Sequence, residues 1–113
     1  MLLLKGRGVE VPGECPFLSG EYAMQYVSAM QAEDENGFVK TICNAKHFSS
    51  YDVEAGKNSE GTGSAYNRGS FNASVTNQDL AETYLHHFRT AVQGGGLRGA
   101  MCRYTCLRMQ PVA

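Results

Sequence analysis

Short apolar runs, two helical stripes and one long polar stretch divide the chain. Met1-Leu2-Leu3-Leu4 stops at Gly6-Arg7-Gly8, which predicts a buried strand ending in a glycine turn. Pro12-Gly13 and Pro16 mark a loop. Ser19 is the expected N-cap of a helix, because Tyr22, Ala23, Tyr26, Val27 and Met30 follow at helical spacing. That helix fades near Asp34 and stops before Gly37. Phe38 to Ala45 is an apolar run containing β-branched residues, which predicts a second strand delivering Lys46-His47 at its end.

Residues 49 to 74 are rich in Gly, Ser and Asn without periodicity, and predict a long loop. Structureless loops longer than ~12–15 residues in compact domains are usually functional or disordered. Thr76 opens a second helix: its hydroxyl can cap, Asp79 complements the N-terminus, and Leu80, Tyr84, Phe88 and Val92 form a stripe. Gly94-Gly95-Gly96 ends it, because glycine accepts the left-handed cap conformation. Leu97 to Tyr104 predicts a third strand, and Pro111 argues against regular structure in the tail.

The order is strand, helix, strand, loop, helix, strand. Strands separated by helices imply crossovers and a parallel sheet, hence an α/β fold in one domain over residues 1–113. Parallel α/β folds place their chemistry at the carboxyl ends of strands. Arg7, Lys46-His47 and Tyr104 are the polar groups at those three ends.

Composition narrows the function. Ten Lys and Arg against eleven Asp and Glu give a net charge of -1, so no cationic excess invites nucleic acid or an anionic membrane as main partner. Hydrophobic residues at 42% suffice for a packed core. Cys15, Cys43, Cys102 and Cys106 show no CxxC spacing, which argues against structural zinc and a disulfide scaffold. Met1 to Leu4 is too short for a signal-peptide core and nothing approaches a membrane span, so the compartment stays open. Gly6-x-Gly8 meets Val11 where a dinucleotide fingerprint needs glycine, and Gly56-Lys57 is followed by Asn58, so no cofactor motif is present. His86 and His87 point roughly 100° apart on a helix and do not converge on a metal.

Four segments carry what remains: GRGVEVPGECP from Gly6, KHFSSYD from Lys46, RGSFNASVTNQDLAETYLHHF from Arg68, and MCRYT from Met101. In this order they resemble glycoside hydrolase family 3, most of all its β-xylosidase and α-arabinofuranosidase branch. That branch reads GRGQETPGEDP, KH-(Y/F)-x-AYD, R-x-x-FNAxVTxQDLxxTYxPPF and MCSYN, and the likeness runs from Gly6 to about Thr105. The resemblance implies part of a (β/α)8 barrel, about three parallel strands with two helices, with the site at its C-terminal face. By motif match it implies that Arg7, Lys46, His47, Arg68 and Tyr104 contact the sugar. Fixed N–H donors suit vicinal hydroxyls, and such bonds strengthen in an oxocarbenium-like transition state.

Read without the family, Arg7, Lys46 and Arg68 are solvated charges, His47 is a structural histidine and Tyr104 is core. Asp52 stands where the family aspartate is structural. The sequence departs from the family at Cys15, at Arg103 where a small residue is usual, and at His86-His87 in place of paired prolines. A retaining glycosidase needs two carboxyl groups ~5–5.5 Å apart. The family places its nucleophile and acid/base beyond the MCSYN segment, so neither is assigned here, and 113 residues supply about three of eight βα units. The expected function is β-xylosidase-like hydrolysis by family, acting on a small sugar or oligosaccharide, with this chain inactive alone. The alternatives are a non-catalytic carbohydrate-binding remnant or pseudo-enzyme, and a different α/β enzyme using Cys43 or Cys102 with His47.

Overall fold

The computed structural model describes residues 10–52, 54–57, 64–70, 72–104 and 106–110. The expected strand over Met1 to Leu4 and the candidate Arg7 lie outside these residues.

Helix α1 spans Pro16–Met30. It starts earlier than the spacing suggests, because Pro16 is preset for a first helical turn and Cys15 Sγ accepts the Leu18 N–H at 3.5 Å. Ser19 is therefore no N-cap; its hydroxyl donates to the Gly13 carbonyl instead. Beyond α1 the Asp34 carboxylate accepts the N–H groups of Asn36 and Phe38, and Gly37 turns the chain at φ 80°. The Thr41 hydroxyl donates to the Met30 carbonyl, and Gln31 Oε1 accepts the Cys43 N–H.

These side-chain bonds compete with a strand ladder, so the expected strand from Phe38 is corrected to β1, Asn44–Phe48. Lys46 and His47 thus lie inside the strand rather than beyond its end. The Lys46–His47 and Phe48–Ser49 peptide bonds are cis.

The segment expected as a loop contains the antiparallel pair β2, Ala55–Lys57, and β3, Ser64–Asn67. Gly56 lets the Tyr66 ring lie over it, since a Cβ there would make that ring move aside. Strand β4, Asn72–Thr76, follows with Ala73 and Val75 buried on one face. Thr76 caps as expected: Oγ1 accepts the Asp79 N–H at 3.0 Å and donates to its carboxylate at 2.8 Å. The helical segment then runs as α2, Asn77–Asp79, a π-helical turn, Leu80–Tyr84, and α3, His86–Gln93. The triple glycine ends α3, with Gly96 at φ 69°.

Strand β5, Gly99–Cys102, pairs parallel with β1 from Asn44↔Gly99 to Phe48↔Cys102. The parallel sense agrees with the crossover argument. The tail is corrected: β6, Cys106–Gln110, pairs parallel with β4, an edge its own sequence does not announce. Among the described residues the strands form three two-stranded sheets.

Helix α1 packs on α3, where Gly20 lets the helices close on Thr90, and Phe48 meets Phe88 edge-on at 5.0 Å between β1 and α3. A small cluster of Ala73, Val75 and Leu80, flanked by Tyr84 and Leu85, closes over β4. Phe17, Tyr22, Phe38 and Ile42 stay exposed, Phe38 by 70%. No helix among the described residues is long and apolar enough to cross a membrane.

Candidate functional site

The second half of β1, the turn after β3 and the segment leaving β5 carry the candidate groups. Lys46, on β1, extends its ammonium to the Glu10 carboxylate at 2.9 Å, and both side chains are about half exposed. This contact ties the loop before α1 to the strand. The neighbouring His47 lies where the β1–β5 register shifts, between Lys46 and Phe48. Its ring meets Tyr51 edge-on at 4.8 Å and Tyr104 at 5.7 Å.

Tyr51 is buried, 5% exposed, and its hydroxyl donates to the Glu54 carboxylate. Burial and then the Glu54 hydrogen bond push that phenol above its ordinary pKa of 10.0. Arg68, in the turn after β3, closes the hairpin base through its N–H to the Glu54 carbonyl at 2.8 Å. Its guanidinium lies 4.4 Å from the Tyr104 ring centroid and 3.3 Å from the Glu54 carboxylate, and donates to the Tyr51 hydroxyl. The Tyr51 bond first, and Glu54 second, hold Arg68 firmly protonated.

The structure thus brings His47, Arg68 and Tyr104 into one cluster built around Tyr51 and Glu54. Lys46 shares the strand but is bound to Glu10. Tyr51, Glu54 and Glu10 were not singled out by the sequence. Glu54 falls in the aperiodic stretch, and only the YD pair beside the KH motif hints at Tyr51.

A second group lies on the helix side. The Tyr84 phenol donates to Asp52, and burial followed by that bond raises its pKa far above the ordinary value. Burial lowers the pKa of His87, opposed in part by its hydrogen bond to the Thr83 carbonyl. These residues line a cleft of about 650 Å³ between α1, β1 and α3, with Tyr22, Tyr26, Lys46 and His47 also on its walls. Arg68 and Tyr104 are not among its lining residues, so the cleft and the aromatic cluster share only part of β1 and the segment after it. Among the described residues no group of three His, Cys, Asp or Glu could hold a metal ion.

The cluster offers donors at fixed positions and an aromatic face. Arg68 and His47 can supply N–H groups to hydroxyls, and Tyr104, 55% exposed, presents a ring to the apolar face of a small ring-shaped ligand.

No protein-family model matches the chain. Among curated proteins it is 37% identical over 108 residues to β-D-xylosidase 3 of Arabidopsis thaliana, covering 94% of this chain and 13% of that protein. Identity to β-xylosidase/α-L-arabinofuranosidase 2 of Medicago sativa subsp. varia is also 37%, with the same coverage. Among solved structures, a GH3 exo-β-xylosidase bound to a xylobiose aziridine activity-based probe superposes with TM-score 0.78 at 32% identity, covering 92% of this chain and 13% of the other. β-Glucosidase 3B from Thermotoga neapolitana in complex with glycerol gives 0.74 at 29% identity, covering 95% and 13%. The chain therefore spans about one eighth of the length of these relatives.

Proposed function

We propose, for a chain that belongs to glycoside hydrolase family 3, that its 113 residues supply the glycone-gripping part of a glycosidase site acting on terminal xylose or arabinose of xylan-type polysaccharide. The β1–β5 pair with α1 and α3 is read as part of a (β/α)8 barrel. Lys46, His47, Arg68 and Tyr104, with Arg7 by motif match, contact the sugar. The observation that carries this reading is the meeting of His47, Arg68 and Tyr104 beside the carboxyl ends of parallel strands.

The chemistry is double displacement with retention, in which one carboxylate attacks the anomeric carbon and a second carboxyl group protonates the leaving oxygen. The described carboxylates around the site are already engaged: Glu10 by Lys46, Asp52 by Tyr84, and Glu54 by Tyr51 and Arg68. By the resemblance, the nucleophile and the acid/base group follow the MCSYN segment, so both are assigned to sequence other than these residues. What this chain does is hold hydroxyls with N–H donors as positive charge develops at the anomeric carbon. The same engagement favours a second reading, a carbohydrate-binding chain without catalysis.

Calorimetric titration with xylose and arabinose tests both. Binding in the millimolar range that is lost in His47→Ala, without turnover of a nitrophenyl xyloside, is the expected result. Absence of binding rejects the gripping role. Turnover abolished by His47→Ala rejects the assignment of the carboxylates to other sequence.

A further inference from the structure

Arg103 follows β5 directly and makes contacts that the sugar-binding assignment does not use. Its backbone N–H donates to the Phe48 carbonyl at 3.0 Å, and guanidinium Nη1 donates to the Ser49 carbonyl at 2.7 Å. One residue thus takes two successive carbonyls of the segment that leaves β1. Ser49 and Ser50 are both buried, at 5% exposure, where an unmatched carbonyl is costly. Ser50 adopts φ 61°, a conformation that L-residues hold only when their surroundings impose it. Its own hydroxyl gives no help, being buried without a hydrogen-bond partner among the described residues. The guanidinium bond is therefore a principal tether of this turn.

The tether lies between the members of the aromatic cluster. His47 and Tyr51 flank the 48–50 segment, Tyr104 is the next residue after Arg103, and the three rings lie 4.8–6.2 Å apart by centroid. We infer that Arg103 is a positioning residue: by clamping Ser49 to the end of β5 it fixes the distance and angle at which Tyr104 faces His47 and Tyr51. The small residue usual at this position in the resembling family could not span that gap. The functional consequence rests on the proposed gripping role of the cluster; the positioning itself does not.

The test compares the wild-type chain with Arg103→Met, which keeps the stem and removes the donors, and Arg103→Lys, which keeps the charge and one donor direction. The readouts are the His47 ring-proton resonances, shifted by the two tyrosine rings, and xylose affinity, each measured well below the melting transition. Arg103→Met is expected to move the His47 resonances toward those of an exposed imidazole and to weaken xylose binding about tenfold, the equivalent of one charge-assisted hydrogen bond. Arg103→Lys should restore part of both. Unchanged His47 resonances in Arg103→Met, even with a lowered melting temperature, would show a merely structural role and overturn the inference. So would a Lys variant indistinguishable from wild type. If Arg103→Met does not fold, the intermediate shift expected of Arg103→Lys decides alone. If wild-type protein binds no xylose, the gripping reading fails while the resonances still decide the positioning role.

Discussion

Gln31 is the most informative side chain to remove. It sits at the end of α1, 7% exposed, and bonds to two parts of the chain that are distant in sequence. Nε2 donates to the Gly96 carbonyl at 2.7 Å in the turn that leads to β5, and Oε1 accepts the Cys43 N–H at 2.9 Å just before β1. One amide therefore sets the approach of both strands that carry the site. In Gln31→Ala both backbone groups lose their partner in a part-buried place, with the Gln31 side chain itself buried. Leaving such a group unmatched costs about 1–3 kcal/mol. With some relaxation, the two together should cost about 3 kcal/mol, a large share of the ~5–15 kcal/mol available to an ordinary domain. For a chain near this size that corresponds to a melting temperature lower by roughly 10–20 °C. Urea unfolding followed by circular dichroism measures it, with exposed Gln93→Ala on α3 expected within about 0.5 kcal/mol of wild type. A Gln31→Ala cost below about 1 kcal/mol would show that water reaches those groups and that the amide is no tether.

Two further outcomes follow from the same physics. Ser50→Ala removes a buried hydroxyl that has no partner among the described residues and keeps the backbone conformation, so it should stabilise the chain by about 1 kcal/mol in the same urea assay; destabilisation would mean that the hydroxyl is satisfied in solution. Burial lowers the proton affinity of His87 on folding, so the unfolded chain binds more protons as pH falls below the ordinary value near 6.5. The contribution of neutral His87 is therefore fully present above that value and is lost as pH falls toward the folded value. His87→Gln should flatten this part of the stability profile, and an unchanged slope would refute the assignment.

Local signals were legible in the sequence, and distant pairings were not. The apolar spacing of α1, the Thr76 cap and the stop at Gly94 to Gly96 depend on neighbours within one turn, and each is present. The start of β1 was misplaced because Asp34, Thr41 and Gln31 satisfy backbone groups that an apolar run alone assigns to a ladder. Strands β2 and β3 lie in a stretch whose Gly, Ser and Asn content hides them, and β6 exists through its partner β4. At the site, Lys46, His47, Arg68 and Tyr104 stood out because motif order marks them. The Tyr51–Glu54–Arg68 links did not, since they join residues whose approach depends on the hairpin base.

Mapping amide and side-chain chemical shifts of the chain during a xylose titration tests the central claim most directly. A bound pentose should move the signals of Lys46, His47, Arg68 and Tyr104 together, along one saturation curve in the millimolar range. Shifts confined to the α1 cleft around Tyr22 and Tyr26, or none at all, would contradict it.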